Sequence, residues 1–239
     1  GEGDAAESSG PQPATITFFV INDAPIFTTN VLSITEGGTV VLNADAPNLV
    51  TTDEAGESTP AELTYTILSV SNGTFQQLTD GVATDLGVAD TFTQADVDGG
   101  LIQFQHDGSE TAPSYRLQVV DGGLTDALQP GPKGGGSTTV TIEAFTLVND
   151  PPMVTKSSLA VTEGATVTIG SDDLAATDVE SPADELVYTV VIGDAADAAQ
   201  PDSFIVDGVA QAGPEVTFTH PQVDADLVEF VQGGSNFEP

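Results

Sequence analysis

Residues 92–104 read Phe-Thr-Gln-Ala-Asp-Val-Asp-Gly-Gly-Leu-Ile-Gln-Phe, and residues 218–230 read Phe-Thr-His-Pro-Gln-Val-Asp-Ala-Asp-Leu-Val-Glu-Phe. The two stretches keep one order of aromatic, acidic and aliphatic residues at an offset of 126 (218 − 92). Working outward, Asn22-Asp23-Ala24-Pro25 returns as Asn149-Asp150-Pro151-Pro152, and Ile34-Thr35-Glu36-Gly37 returns as Val161-Thr162-Glu163-Gly164, both at 127 (149 − 22 and 163 − 36). Leu63-Thr64-Tyr65-Thr66-Ile67 matches Leu186-Val187-Tyr188-Thr189-Val190 at 123 (186 − 63). A period of this length makes each unit a domain in itself, unlike the units of roughly 20–50 residues in solenoids, which must stack to bury a core. Residues 22–148 are expected to form a complete module and residues 149–239 a second that stops short of the counterpart of Ser114–Val120. Residues 1–21 are expected to end in the last strand of a preceding module, Thr15–Ile21, so the chain reads as a window on a longer array.

The local pattern is that of strands. Two-residue alternation runs through Val31–Ile34, Val40–Leu42, Leu63–Ile67, Leu101–Phe104, Tyr115–Val119 and Thr139–Ile142, each bounded by Gly, Pro, Asn or Asp. No stretch sustains a 3.6-residue period, and about seven short strands per module predict an all-β fold of tandem immunoglobulin-like sandwiches. The one helical signal is Thr93–Asp96, a Thr cap followed three residues later by a carboxylate, closed by Gly99-Gly100. Gln129–Ser137, with two Pro and four Gly, is read as a flexible hairpin loop, and Asn72-Gly73-Thr74 as a hairpin turn before it is a glycosylation sequon.

Composition narrows the function. The 239 residues carry 37 acidic against 3 basic side chains, a net charge of −34, with no Cys and no Trp. Such a chain repels phosphate backbones and anionic lipid, which argues against nucleic acid and membrane surfaces as partners. No apolar run reaches the roughly 18 residues of a membrane helix. The donors on offer are oxygens, the ligands of hard cations such as calcium.

Ser114-Tyr115-Arg116-Leu117-Gln118-Val119-Val120-Asp121-Gly122-Gly123, followed by a strand and Asn149-Asp150-Pro151-Pro152, resembles the closing strands and linker of a cadherin repeat. Residues 92–110 are similar to the repeat of chondroitin sulfate proteoglycan type, a cadherin-like relative also found in large bacterial surface adhesins. The resemblance implies Ca2+ at the junctions between modules. By position it assigns ligands to Asn22, Asp23, Glu36, Asp53, Asp107, Glu110, Asp121, Asn149, Asp150, Glu163, Asp178 and Glu180, with Glu54 beside Asp53 as a second ligand of that turn. One junction would gather Glu36, Asp107 and Glu110 with Asn149, Asp150, Asp178 and Glu180. Where the family has further linker ligands this chain has Val20, Leu147, Ala24 and Pro151, so one or two ions per junction are expected.

The function so implied is a noncatalytic, extracellular, cell-surface rod, stiffened by calcium and serving adhesion or reach. Its partners would be neighbouring repeats, with a homophilic or cell-surface glycan contact beyond them. A second reading is a subunit of an extracellular fibre or surface layer, joined by strand exchange between incomplete modules. A carbohydrate-binding module is disfavoured by the absence of Trp and a count of only three Tyr. His106, Asp107 and Ser109 lie within four residues on one loop, too close to converge as base, orienter and nucleophile, and the place of His106 is taken by Gln232 in the second module.

Overall fold

The computed structural model describes residues 11, 13–43, 48–55, 57–124, 128, 130–192, 202–211 and 213–234. It divides into two compact units, Gly1–Val148 and Asn149–Pro239.

In the first unit the strands are β1 (Ile26–Thr35), β2 (Thr39–Leu42), β3 (Leu49–Thr52), β4 (Thr64–Ser71), β5 (Gly73–Thr79), β6 (Val82–Leu86) and β7 (Thr91–Thr93), then helix α1 (Gln94–Asp98), then β8 (Ile102–His106), β9 (Ser114–Val120), β10 (Gly134–Thr139) and β11 (Thr141–Thr146). They form three hydrogen-bonded sheets, β11-β1-β3, β10-β9-β4-β7 and β2-β8-β5-β6. β1 is shared along its length: Ile26–Asn30 pair antiparallel with β3, and Val31–Thr35 pair parallel with β11. Inward residues alternate along β4, β8 and β9, so Tyr65, Ile67, Ile102, Phe104, Tyr115, Leu117 and Val119 are all fully buried. The ring of Tyr115 meets those of Phe75 and Phe104 at centroid distances of 4.7 and 5.3 Å, within the range where aromatic pairs attract beyond their buried area.

The second unit repeats most of this order. It contains β12 (Met153–Ser157), β13 (Thr166–Ile169), β14 (Leu174–Thr177), β15 (Val187–Val191), β16 (Ser203–Val206), β17 (Val209–Ala210), β18 (Glu215–Thr219), helix α2 (His220–Asp224) and β19 (Val228–Val231). Its sheets are β12-β14, β13-β19-β16-β17 and β15-β18. Its described residues include no counterpart of β9, β10 or β11, and Tyr188 and Phe230 are 8% and 7% exposed where Tyr65 and Phe104 are sealed.

The all-β fold agrees with the sequence reading, and the differences are local. The first unit has eleven strands where about seven were expected. The surplus includes the hairpin β5–β6, turned at Asp80-Gly81, both at positive φ (51° and 79°), the left-handed pair that suits a two-residue hairpin. Asp207-Gly208 turns β16 into β17 in the same way. Asn72, at φ 53°, does not turn a hairpin, because it passes the chain from β4 to β5, which lie in different sheets. Gly73 beside it is required, since a Cβ would stand 2.5 Å from the Gln105 carbonyl oxygen. Of the stretch read as a flexible loop, Gly134–Ser137 belong to β10 and pair with β9, while Gln129 lies outside the described residues. Gly135 explains the glycines: a Cβ there would stand 1.9 Å from the Pro25 carbonyl oxygen, so only glycine lets β10 lie flush on the linker. Thr15–Ile21 belong to no sheet.

Helix α1 has the capping box expected at Thr93 and Asp96. It places Gln94 in the core, where the amide oxygen accepts the Thr51 N–H (3.0 Å) and hydrogen-bonds the Tyr65 hydroxyl. In the second unit His220 takes the same place, with Nδ1 2.7 Å from the Tyr188 hydroxyl. Replacing Gln94 with Leu orphans the buried Thr51 N–H, while the Tyr65 hydroxyl keeps its bond to Thr51 Oγ1 (2.7 Å), and should lower stability by about 1–3 kcal/mol. Gln94→His should cost less, because the second unit already uses that pairing; urea unfolding of the two variants measures the difference.

Candidate metal centre

The acidic residues gather at two places in the first unit. The chain enters through Asn22, which is fully buried. Its amide donates to Asp121 Oδ2 (2.9 Å) and to the Gly131 carbonyl (3.1 Å), while Asp121 Oδ1 accepts the N–H groups of Gly123 and Lys133 (2.9 and 2.7 Å). The structure thus brings Asn22 and Asp121 together as a pin that fastens the linker to the loop after β9. Asn22 Oδ1 is enclosed with no hydrogen-bond donor among the described residues.

Beyond the pin, Asp23 meets the acidic turn after β3. Carboxylate oxygens of Asp23, Glu54 and Glu57 all lie within 4.8 Å of one another. The Asp23 N–H donates to Glu57 Oε2 (2.8 Å), and Asp53 Oδ1 accepts the Glu54 N–H (3.0 Å). Asp53 Oδ2 is buried and has no donor among the described residues. The Glu54 carboxyl is held above its ordinary range, first by its hydrogen bond with the Asp23 side chain and then by the neighbouring charges of Glu57 and Asp23. Among the described residues none of the three basic side chains pairs with this cluster; the one lysine ion pair is Lys156 with Asp172 (3.1 Å).

The second unit repeats the linker contact. The Asp150 N–H donates to Glu180 Oε1 (3.1 Å), as Asp23 does to Glu57, and Glu180 Oε2 is buried without a donor among the described residues. Asp178 Oδ1 accepts the N–H groups of Ser181 and Glu180, and these bonds, Ser181's first, hold its carboxyl below the ordinary range. Asn149 differs from Asn22: it is exposed, and its amide donates to the Asp150 carbonyl (3.0 Å).

At the far end of the first unit, the turn after β1 buries Glu36, 8% exposed, and its Oε2 accepts the Val148 N–H (2.9 Å). A carboxylate oxygen of Glu110 lies within 4.8 Å of one of Glu36. The turn is held by buried His106, whose Nδ1 accepts the N–H groups of Gly37 and Gly108 (3.2 and 3.1 Å). In the second unit Gln232 Oε1 accepts the equivalent N–H groups of Gly164 and Gly234, so both residues serve one turn. Asp107 turns instead onto Ser109, whose hydroxyl and N–H (2.7 and 3.1 Å) keep its carboxyl low. Glu163 is exposed.

Sequence reasoning missed Glu57. It gave Glu54 as the second ligand of that turn; the cluster holds Glu54 and Glu57 together, and the hydrogen bond shared with the second unit runs through Glu57. No sequence signal marks it: Glu57 follows three residues after Glu54 in a turn longer than that of Glu180, and its N–H bonds back to the Glu54 carbonyl (3.0 Å).

Every donor at these ends is oxygen, several are orphaned or crowded with like charge, and a divalent cation fits such a set. In the metal-free protein the raised Glu54 carboxyl means that folding takes up a proton. Its contribution is full below the ordinary value of 4.5 and is lost as pH rises through the raised value. Glu54→Gln should therefore flatten the decline of melting temperature above that pH in chelator, which a pH series of thermal melts on variant and wild type will read.

A model of the cadherin-like family matches the chain twice, over residues 25–142 and 151–238. Human chondroitin sulfate proteoglycan 4 is 39% identical over 116 residues, 48% of this chain and 5% of the proteoglycan, and the rat protein is 36% identical over 127. Extracellular matrix protein 3 of Lytechinus variegatus is 33% identical over 110 residues, 44% of this chain. The chain spans about 5% of the length of the proteoglycans it matches. With 206 residues matched (118 + 88), in the order and at the period of its internal repeat, the chain belongs to the cadherin-like family.

Proposed function

We propose that this chain is a calcium-binding, noncatalytic stretch of an extracellular array, in which calcium at the ends of consecutive modules stiffens a spacer or adhesive rod at the cell surface. The observation that carries this reading is the triad Asp23, Glu54 and Glu57, whose oxygens crowd within 4.8 Å of one another with no basic partner among the described residues. The contact of linker aspartate with turn glutamate recurs as Asp150 with Glu180. The entering end of a module would supply Asp23, Asp53, Glu54 and Glu57, or in the second unit Asp150, Asp178 and Glu180. The leaving end would supply Glu36 and Glu110, with Glu163 as the counterpart of Glu36. Asn22 with Asp121, and Asn149, would fix the linker that carries these groups, and Asp107 would shape the loop before Glu110. Bound calcium would supply the positive charge that these carboxylates lack, drawing them together where they otherwise repel.

The names of the relatives, a proteoglycan and an extracellular matrix protein, favour an extracellular setting. Among the described residues no helix is long and apolar enough to cross a membrane. Neighbouring repeats are the first partners of such an array, and a homophilic or glycan contact would lie on a surface.

Calcium at a hundred times its dissociation constant stabilises the bound state by about 2.7 kcal/mol. For a domain of this size that corresponds to a rise in melting temperature of about 5–10 °C. Thermal unfolding in millimolar calcium against chelator, with magnesium as control, should show this shift for calcium alone. Asp23→Asn combined with Glu57→Gln should remove most of the part that belongs to the first unit. Equal melting curves in calcium and chelator would overturn the proposal and leave the acidity as charge for solubility.

A further inference from the structure

The sheet β2-β8-β5-β6 ends in β6, Val82–Leu86. On one side β6 pairs with β5, from Thr79 with Val82 to Phe75 with Leu86 and without a break in register; no described strand pairs with its other side. The two-residue turn Asp80-Gly81 makes Thr79 and Val82 a pair that exchanges both backbone bonds, and the alternation of an antiparallel ladder then turns Val82, Thr84 and Leu86 toward β5. The N–H and C=O groups of Ala83 and Asp85 are left pointing away from the sheet. Val82 is 66% exposed, and Ala83, Thr84 and Asp85 are exposed with it.

An edge of this kind is a template for another chain, and proteins ordinarily blunt it with a short strand, a bulge, a proline or a charge held over it. β6 has neither bulge nor proline, and its one charge is drawn back over the sheet, where Asp85 Oδ1 accepts from Gln76 Nε2 (2.8 Å). The second unit shows the blunted form, since β17 is two residues long. β6 is also fixed at both ends. Beyond it the turn Gly87–Asp90 is closed by the Asp90 N–H on the Gly87 carbonyl (3.1 Å) and tied to β4, with the Ala89 N–H on the Ile67 carbonyl (2.8 Å) and the Ile67 N–H on the Asp90 carbonyl (3.1 Å). Ala89 holds φ at 75° in this turn, a left-handed conformation that residues with a side chain rarely adopt, so the end of the strand is set at a local cost in strain. An edge fixed in advance leaves less to be ordered when a partner binds.

Charge decides which partner fits. Residues 80–90 carry Asp80, Asp85 and Asp90, all exposed, and no basic residue, in a chain of net charge −34. A second copy would bring the same acids to the same edge and be repelled. We propose that β6 takes up an extended basic segment of another protein, added antiparallel as one more strand, with lysine or arginine at alternate positions. In antiparallel pairing directly opposed residues share a face, so the residues that exchange bonds with Ala83 and Asp85 stand on the outer face beside the Asp85 carboxylate. A basic side chain opposite Asp85 forms a cross-strand charge pair, and its neighbours on either side lie toward the turns that carry Asp80 and Asp90. Backbone bonds supply the affinity, and the alternating charge supplies the selectivity. The site does not depend on the proposed calcium role.

A fluorescent heptapeptide of alternating lysine and valine, with lysine at both ends, tests this in salt of about 150 mM, where distant charges are screened. The wild-type chain should bind it saturably, in calcium and in chelator alike. Amide exchange should slow at Ala83 and Asp85, and not at Val82, Thr84 and Leu86, whose N–H groups already lie in the ladder. The same peptide with N-methyl groups on its lysine backbone nitrogens keeps every charge and loses the donors, and should bind about tenfold more weakly. Ala83→Pro, which removes an outward N–H and leaves the ladder to β5 whole, should weaken binding of the parent peptide to a similar extent. Absence of saturable binding overturns the proposal, as does equal binding of the parent and N-methylated peptides, which would make the attraction one of charge alone. It is equally overturned by slowed exchange on other strands instead, or by slowed exchange at Ala83 and Asp85 with rising protein concentration and no peptide, which would seat a second copy on the edge.

Discussion

The structure depends on closure of the sandwich by its last strands. β9 inserts Tyr115, Leu117 and Val119 between the sheets, and β11 completes β1 in parallel. The first unit has both, and Tyr115, Leu117 and Val119 are fully buried between its sheets. β1 reaches ten residues because it is shared between two partners, β3 along its first half and β11 along its second. Strand length here is a property of the partner rather than of local propensity, as is general for sheets.

Closure also orders the chemistry. Glu36 is buried because β11 accepts its N–H at the Thr146 carbonyl and the chain beyond returns a donor at Val148. At the other end Asn22 and Asp121 tie the entering linker to the loop after β9. Both acidic ends of the module are thus built on its C-terminal strands, so the residues that come last in the chain position carboxylates that come first. The hydrogen bond with Asp23 and the charges of Glu57 and Asp23 hold the Glu54 carboxyl above its ordinary range, while Asp107, turned onto Ser109, is held below it.

What was legible in the sequence follows from what repeats. The period, the strands carrying Tyr65, Phe104 and Leu117, and the cap at Thr93 were readable because each is set by local pattern. The linker acids Asp23 and Asp150 were readable by position, and both stand at acidic turns. Glu57 was not, because two turns of different length hide its equivalence to Glu180 until the hydrogen bonds are seen. Gly135 looked like flexibility and is a close approach of two backbones, a distinction that composition does not carry. The hairpin at Asp80-Gly81 was legible and overlooked, whereas the role of Asn72 was not, since a left-handed residue can link sheets as readily as it can turn a hairpin.

The parallel pairing of β1 with β11 has a mechanical consequence. Tension on the chain pulls β1 from its first residue, Ile26, and β11 from its last, Thr146. Because the strands run the same way, those two forces slide one past the other along the strand axis. The ladder bonds, lying across that axis, are loaded together in shear instead of opening one at a time as in an unzipped hairpin. Each closed module is in this sense a latch that resists extension along the direction in which an array would be drawn.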